Sequence, residues 1–280
     1  MKAKHVAVSR EGAVQIVRFV NEKSRNSMTA ELRAQLGEAM TLAAQDEQVR
    51  AVYITGRGAA FCAGGDLHML KNACDPWAVH RRFRSLGTWF LSFLQFEKPV
   101  VVGVNGYAVG GGMGLALGGD LIIAAESAKF MAAFFRLGVI PDIGMMYTLP
   151  RLIGLARAKR FLFGNETLSA REAYDIGLVA RVVPDEELDR ECLKQAQQFA
   201  RGPAAVMGLS KLLLSRTFET GLNEMFLIED LGQALAQSST EFHEGLSALL
   251  EGRPADFVRA TGRAQGNAKD KIGKSPRRRK

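Results

Sequence analysis

The sequence predicts an α/β fold with a mainly helical C-terminal third, on three observations. Apolar runs of strand length recur at AVYITG (51–56), PVVVGV (99–104) and DLIIAAE (120–126). With helical stretches between them, they have the rhythm of parallel strands joined by right-handed crossovers. Glycine-rich loops follow the first two runs directly, and beyond about residue 150 helical patterns take over with no further strand expected.

Residues 5–20 read as a hairpin, because HVAVS and AVQIVRFV alternate apolar and polar positions around Glu11-Gly12. From Thr29 the period changes. Leu32, Leu36, Ala39, Met40 and Ala43 share one helical face, and Glu31, Arg33, Glu38 and Gln45 occupy the other. A buried strand at 51–56 then leads into a glycine loop. Trp77, Phe83, Trp89, Phe90 and Phe93, with Met69 and Leu70, make 69–93 apolar and are expected in the core, with the lining of a substrate pocket as the alternative for some of them. The strands at 99–104 and 120–126 flank a short glycine-rich helix. In LSAREAYDIGLVARVV (168–183), Ser169 and Glu172 have capping-box spacing, and Gly177 is placed to end the helix before Leu178. Helical patterns follow over 185–200, 203–216, 222–237 and 239–250, and their apolar faces need a core or a neighbouring subunit to cover them.

Composition narrows the class. A chain of 280 residues, 47% apolar and 24% charged, can bury a core, which excludes a disordered chain or a stapled mini-protein. The formal charge of +8 is concentrated at one end: Gly262 to Lys280 carries eight Lys/Arg against Asp270, so residues 1–261 hold only +1. No nucleic-acid groove is expected in the body. That basic end reads as a solvated terminus, with contact to RNA or to an acidic lipid surface as the alternative. Cys62, Cys74 and Cys192 form no CxxC pair, which argues against a disulfide framework or zinc ribbon and for a cytoplasmic setting. No secretory signal is read at the N-terminus. Val100 to Gly119 is uncharged over twenty residues, but eight of them are glycine, which suits a strand, turn and packed helix better than a membrane span.

Two loops can carry chemistry because glycine stands where a strand ends: FCAGGDL (61–67) and NGYAVGGGMGL (105–115). Such loops let backbone N–H groups approach an anion or polarised oxygen, and they equally permit a helix to pack closely on a strand. No GxxxxGK[ST] occurs, and Gly110, Gly111, Gly112 and Gly114 lack the GxGxxG spacing, so P-loop and Rossmann sites are set aside.

These loops, extended as NGYAVGGGMGLALGGDLIIAAESAKF, resemble the two signature segments of the enoyl-CoA hydratase/isomerase, or crotonase, superfamily. The likeness continues through RNSM (25–28), LGVIPDIGMMYTLPRLIG (137–154), LSAREAYDIGLVARVV (168–183) and EFHEGLSALLEGRPADF (241–257), covering nearly the whole chain in the family's order. It implies a crotonase-like ββα spiral core with a helical C-terminal region, assembled as a homotrimer or hexamer. The implied substrate is an acyl-CoA thioester, with no tightly bound cofactor beyond the coenzyme A that the substrate carries. The implied domains are 1–200 for the spiral core with the CoA and acyl site, 201–260 for a helical oligomerisation region, and 261–280 for a disordered basic tail. By the same resemblance, the thioester oxygen accepts hydrogen bonds from the N–H groups of Gly65 and Gly111. Ala63 and Leu67 fall where the backbone meets adenine, and Arg25 where CoA phosphates are contacted, although Arg25 also reads as a solvated loop residue. Preorganised N–H donors suit the task, since removing a proton beside a thioester puts negative charge on that oxygen.

The pattern departs from the hydratases of that superfamily, which activate water with two glutamates. Their positions fall on Gly114 and Phe134, neither of which exchanges a proton. Asp142, in VIPDIG (139–144), matches the catalytic aspartate of several branches: dienoyl-CoA isomerases, ring-epoxide isomerases of aromatic degradation, and 4-chlorobenzoyl-CoA dehalogenases. Pro141 precedes it, as in the ring-epoxide isomerase-like branch. Burial among apolar neighbours would raise the pKa of Asp142, as a proton shuttle requires; the alternative is that it caps the following turn. The expectation is an isomerase of fatty-acid or aromatic-acid breakdown that uses Asp142, Gly65 and Gly111, with Phe134, Met69 and Gly114 lining the substrate pocket. A hydratase working through Asp142 alone and a non-catalytic acyl-CoA-binding protein are the alternatives. His68 and His80 have no carboxylate cluster beside them, so no metal site is expected.

Overall fold

The three predicted apolar runs become β3 (Ala51–Gly56), β5 (Val100–Val104) and β7 (Leu121–Ala125), central strands of one sheet. They are buried on both faces, which is why they read as continuous rather than alternating hydrophobic segments. The computed structural model describes residues 4–66, 71 and 75–261. Cys74, His68, Met69, Leu70, Leu67 and the basic tail lie outside the described residues. The chain divides into two units, Met1–Gln197 and Gln198–Lys280.

In the first unit, β1 (Val6–Glu11) and β2 (Val14–Phe19) form the expected antiparallel hairpin, with Gly12 in the left-handed region at φ +58°. Helix α1 (Ala30–Gln45) starts at Thr29, whose hydroxyl accepts the Leu32 N–H at 3.2 Å, and buries the face predicted for it. Strand order in the large sheet is β1-β2-β3-β5-β7-β10, where β10 is Arg181–Val183, parallel from β2 onward. A second sheet runs β4-β6-β8-β9, built from Ala60–Cys62, Tyr107–Val109, Lys129–Met131 and Thr167–Ser169. Each successive pass of the chain, β3 to β4, β5 to β6 and β7 to β8, therefore lays one strand in each sheet. Helix α2 (Pro76–Leu94) follows the first pass, α3 (Gly111–Ala116) the second, and a 3-10 turn (Phe134–Leu137) the third. This is the ββα repeat that was expected.

Three expectations need correction. Strands do not stop at residue 150: after α4 (Met145–Ile153) and α5 (Leu155–Gly164) come β9 and, beyond α6 (Ala170–Asp175), β10 (Arg181–Val183). β10 pairs in parallel with β7, Arg181 opposite Ile123. Strands of three residues are too short to display a period, so only their pairing reveals them. For the same reason Phe61 and Cys62, read as loop, belong to β4. Trp77 and Phe83 are not core; they are 69% and 40% exposed, because α2 turns only the stripe through Trp89, Phe90 and Phe93 inward. The capping box at Ser169 and Glu172 is formed in both directions, and Gly177 stands at φ +81° after α6.

The second unit holds α8 (Ala204–Leu214), α9 (Leu222–Gln237) and α10 (Thr240–Glu251), with α7 (Leu188–Arg201) leading into it. Glu241, buried, accepts the Ala205 and Val206 N–H groups at 3.4 and 3.3 Å, where the first turn of α8 has no helical acceptors. Helix α9 buries no residue and exposes Leu222, Phe226, Leu227, Leu231 and Leu235. Among the described residues no helix is long and apolar enough to cross a membrane.

The large sheet is pinned to α7 through Tyr53. Its hydroxyl donates to Asp189 Oδ1 at 2.5 Å, and Arg18 pairs with the same carboxylate at 3.0 Å. The ring lies where Gly103 has no side chain: a Cβ there would stand 2.9 Å from Tyr53 Oη and from Cys192 Sγ. With Tyr53 fully buried and held at its far end, the clash has little room to relax. Gly103→Ala is expected to cost about 1–3 kcal/mol in urea unfolding; unchanged stability would mean that β5 can shift away.

Candidate functional site

The two glycine loops meet at the ends of β4 and β6, which pair in parallel with a register shift between Ala60 and Cys62. A Cβ on Gly112 would collide with the Cys62 carbonyl oxygen. On Gly64, at φ +84°, it would fall 2.5 Å from Val109 O and 3.5 Å from Gly111 N. Only glycine allows this approach. Across the other side, Met28 N donates to Gly64 O at 2.7 Å and Ala63 N to Arg25 O at 3.0 Å, so RNSM is stitched to the first loop. Arg25, in a left-handed conformation at φ +52°, is exposed there beside Ala63. As the first residue of α3, Gly111 keeps its N–H outside the helical ladder. Among the described residues, neither its N–H nor that of Gly65 is taken up by a backbone carbonyl. Burial pushes the nearby Cys62 thiol up to about 12, which makes it inert as a nucleophile.

Asp142 stands over this junction. A Cβ on Gly111 would lie 3.5 Å from its Oδ1 and 3.1 Å from Ile143 Cγ1. That Oδ1 is buried, with no hydrogen-bond partner among the described residues. Burial pushes the carboxyl up to about 6, against the pull of Arg82, of its own backbone N–H and of Arg33. The capping alternative does not describe it: Gly144 is the N-cap of α4 with no side-chain cap, and Met145 N donates to the backbone oxygen of Asp142. The turn is strained, since Ile143 is β-branched yet sits at φ +47°.

The remaining candidates surround these groups. The space a side chain would need at Gly114 is filled by Ile143, whose Cβ would be 2.9 Å away. The Phe134 ring is buried with Cζ 3.9 Å from a Cβ position on Gly110. No carboxylate therefore stands at either position, and Asp142 is the acid against Gly111. Leu67 and Met69 lie outside the described residues, as does His68; His80 is exposed, edge-on to Trp77. Among the described residues no His, Cys, Asp and Glu cluster could hold a metal ion. Arg33, on the polar face of α1, and Arg82 are the residues the sequence does not mark as belonging here. Both act on Asp142 across more than 50 residues of chain, and nothing in the local pattern marks them.

The enoyl-CoA hydratase/isomerase family profile matches residues 9–260. A 1,2-epoxyphenylacetyl-CoA isomerase of Escherichia coli (strain K12) is 38% identical over 242 residues, covering 83% of this chain and 90% of that relative. A crotonyl-CoA hydratase of Syntrophomonas wolfei is 32% identical over 260 residues, covering 92% and 99% respectively. Among solved structures, an enoyl-CoA hydratase/isomerase from Cupriavidus metallidurans CH34 superposes with a TM-score of 0.87 at 30% identity, over 92% of this chain and 97% of its own. With its paired glycine loops and two-sheet repeat matched along almost its full length, the chain belongs to the enoyl-CoA hydratase/isomerase family.

Proposed function

We propose that the chain is an acyl-CoA isomerase, of a double bond or of a ring next to a thioester, with Asp142 as the proton shuttle. The observation that carries this reading is the buried Asp142 oxygen, without a hydrogen-bond partner among the described residues and 3.5 Å from the Cβ position of Gly111, with no second carboxylate at Gly114 or Phe134. The ionised carboxylate takes a proton from one carbon of the acyl chain, and the electron pair moves onto the thioester oxygen. The Gly65 and Gly111 N–H groups hold that oxyanion; each such donor is typically worth about 2.7–4 kcal/mol. Asp142, now neutral, returns the proton to a different carbon. A carboxyl at about 6 serves both halves: it is largely ionised at neutral pH, yet basic enough to compete for a carbon-bound proton. Arg25, Ala63 and Leu67 are assigned to coenzyme A, which enters as part of the substrate, with Phe134, Met69 and Gly114 beside the acyl group. Hydration through Asp142 alone is the second reading, favoured by the crotonyl-CoA hydratase relative. The exposed apolar face of α9 supports assembly as a homotrimer or hexamer.

Asp142→Asn should lower turnover of a Δ3-enoyl-CoA by roughly 10²-fold or more, followed as formation of the conjugated thioester. Undiminished turnover would put the base elsewhere, and water adding to a Δ2-enoyl-CoA at a higher rate than isomerisation would favour the hydratase. In the unaltered protein, kcat/KM should fall about tenfold per pH unit below about 6 and level off above it, and the Asn variant should lack that inflection.

The same carboxyl makes a prediction about stability. Its folded value of about 6 lies above the ordinary 3.8, so the folded state binds more protons between these limits. Stability therefore falls as pH rises through that window, and the cost, on the order of 3 kcal/mol, is complete above it. Asp142→Asn should melt at a higher temperature than the parent at pH 8 and at the same temperature near pH 4. Equal melting at pH 8 would mean that the carboxylate is well solvated.

A further inference from the structure

Five non-glycine residues among those described have positive φ, and Ile143 alone of them is β-branched. Such a conformation persists only where the surrounding contacts enforce it, and strain beside a reactive group points to a use for it. The Ile143 side chain is buried against α3. The Cβ position of Gly111 lies 3.1 Å from Ile143 Cγ1, and that of Gly114, one helical turn on, lies 2.9 Å from Ile143 Cβ and 3.3 Å from Cγ2. Both helix positions facing the turn are glycine, so one isoleucine takes the room of two side chains. Asp142 Oδ1 stands 3.5 Å from the same point above Gly111 that Ile143 Cγ1 approaches, which puts the carboxyl and the hydrocarbon side by side. From behind, the Phe90 ring occupies the place of a side chain on Gly144 and comes within 3.0 Å of one on Gly118, so the turn has no room to draw back from α3.

The volume that Ile143 fills would otherwise suit a water. Two polar atoms border it: Asp142 Oδ1, which has no hydrogen-bond partner among the described residues, and the Ile143 carbonyl oxygen, 2.9 Å from the Cβ position of Gly114. Two partners are the least that a buried water needs, and the isoleucine side chain beyond Cβ is larger than the ~30 Å³ share of one water in the liquid. A carboxylate that holds a water beside an enoyl thioester is a general base for adding it. Walled by hydrocarbon, the same carboxylate has only carbon-bound protons to take.

We propose that Ile143 is a specificity-determining residue: its side chain occupies the place beside Asp142 from which water would reach the acyl group, and so reserves the acid for moving protons between carbons. The inference rests on the reading of the Asp142 junction as an isomerase site and deepens it by naming what keeps hydration out. With that place opened, a water gives its proton to Asp142 and its oxygen to the β-carbon of a Δ2-enoyl-CoA. The double-bond electrons move onto the thioester oxygen, and the proton returns to the α-carbon.

The test gives trans-3-hexenoyl-CoA and trans-2-hexenoyl-CoA to the full-length protein in heavy-oxygen water, and reads labelled 3-hydroxyhexanoyl-CoA against isomerised product by chromatography and mass spectrometry. Ile143→Ala should raise the ratio of hydrated to isomerised product roughly tenfold or more over the parent. That gain should vanish when Asp142→Asn is added, and Ile143→Val, which keeps the branch at Cβ, should behave as the parent. Glycine is at ease at φ +47°, so Ile143→Gly decides the matter if the alanine protein does not fold. A ratio unchanged in the alanine and glycine variants, a gain indifferent to Asp142, or a parent that already hydrates as fast as it isomerises would overturn the proposal. Hydration of trans-2-hexenoyl-CoA by the opened variants alone, where the parent isomerises nothing, would uphold the exclusion of water while refuting the proposed reaction. No turnover of either thioester by any of these proteins would overturn both.

Discussion

The backbones at the ends of β4 and β6 come so close that a carbonyl oxygen occupies the place of a side chain: Cys62 O against Gly112, Val109 O against Gly64. Everything else in the site hangs on this contact. It sets where α3 begins, and it holds the first loop where RNSM can bond to it from the other side. It also leaves Gly65 and Gly111 with N–H groups positioned by main chain alone. Donors held in that way lose little freedom when a ligand arrives, which is the condition for effective oxyanion stabilisation. The double sheet exists, in this sense, to bring two strand ends together at a spacing that any Cβ would spoil.

Asp142 reveals the tension between function and stability. A carboxyl with a buried, unbonded oxygen and a β-branched neighbour in a left-handed conformation are both unfavourable, and they are adjacent. The surrounding packing over-determines them. Ile143 fills the space against Gly114, Phe90 closes over Gly144, and Met145 and Leu149 of α4 are fully buried behind the turn. A strained acid can persist there because a continuous core holds its loop in place.

Much of this organisation was legible in the residues themselves wherever a signal is local. The buried stripe of α1, the hairpin at Gly12, the capping box at Ser169 and Glu172, the three long strands and the glycine loops all depend on neighbours within one or two turns of chain. Periodicity and turn chemistry therefore expose them. The second sheet and β10 lie beyond that reach, because three residues carry no period and become a strand only by pairing with partners far along the chain. The exposure of Trp77 and Phe83 is likewise a matter of which way α2 faces, not of what it contains. The properties of Asp142 were conditional in the sequence and concrete only in three dimensions. An aspartate between isoleucine and proline can be wet or dry, and desolvation by distant segments, against the pull of Arg82 and Arg33, determines how readily it takes a proton.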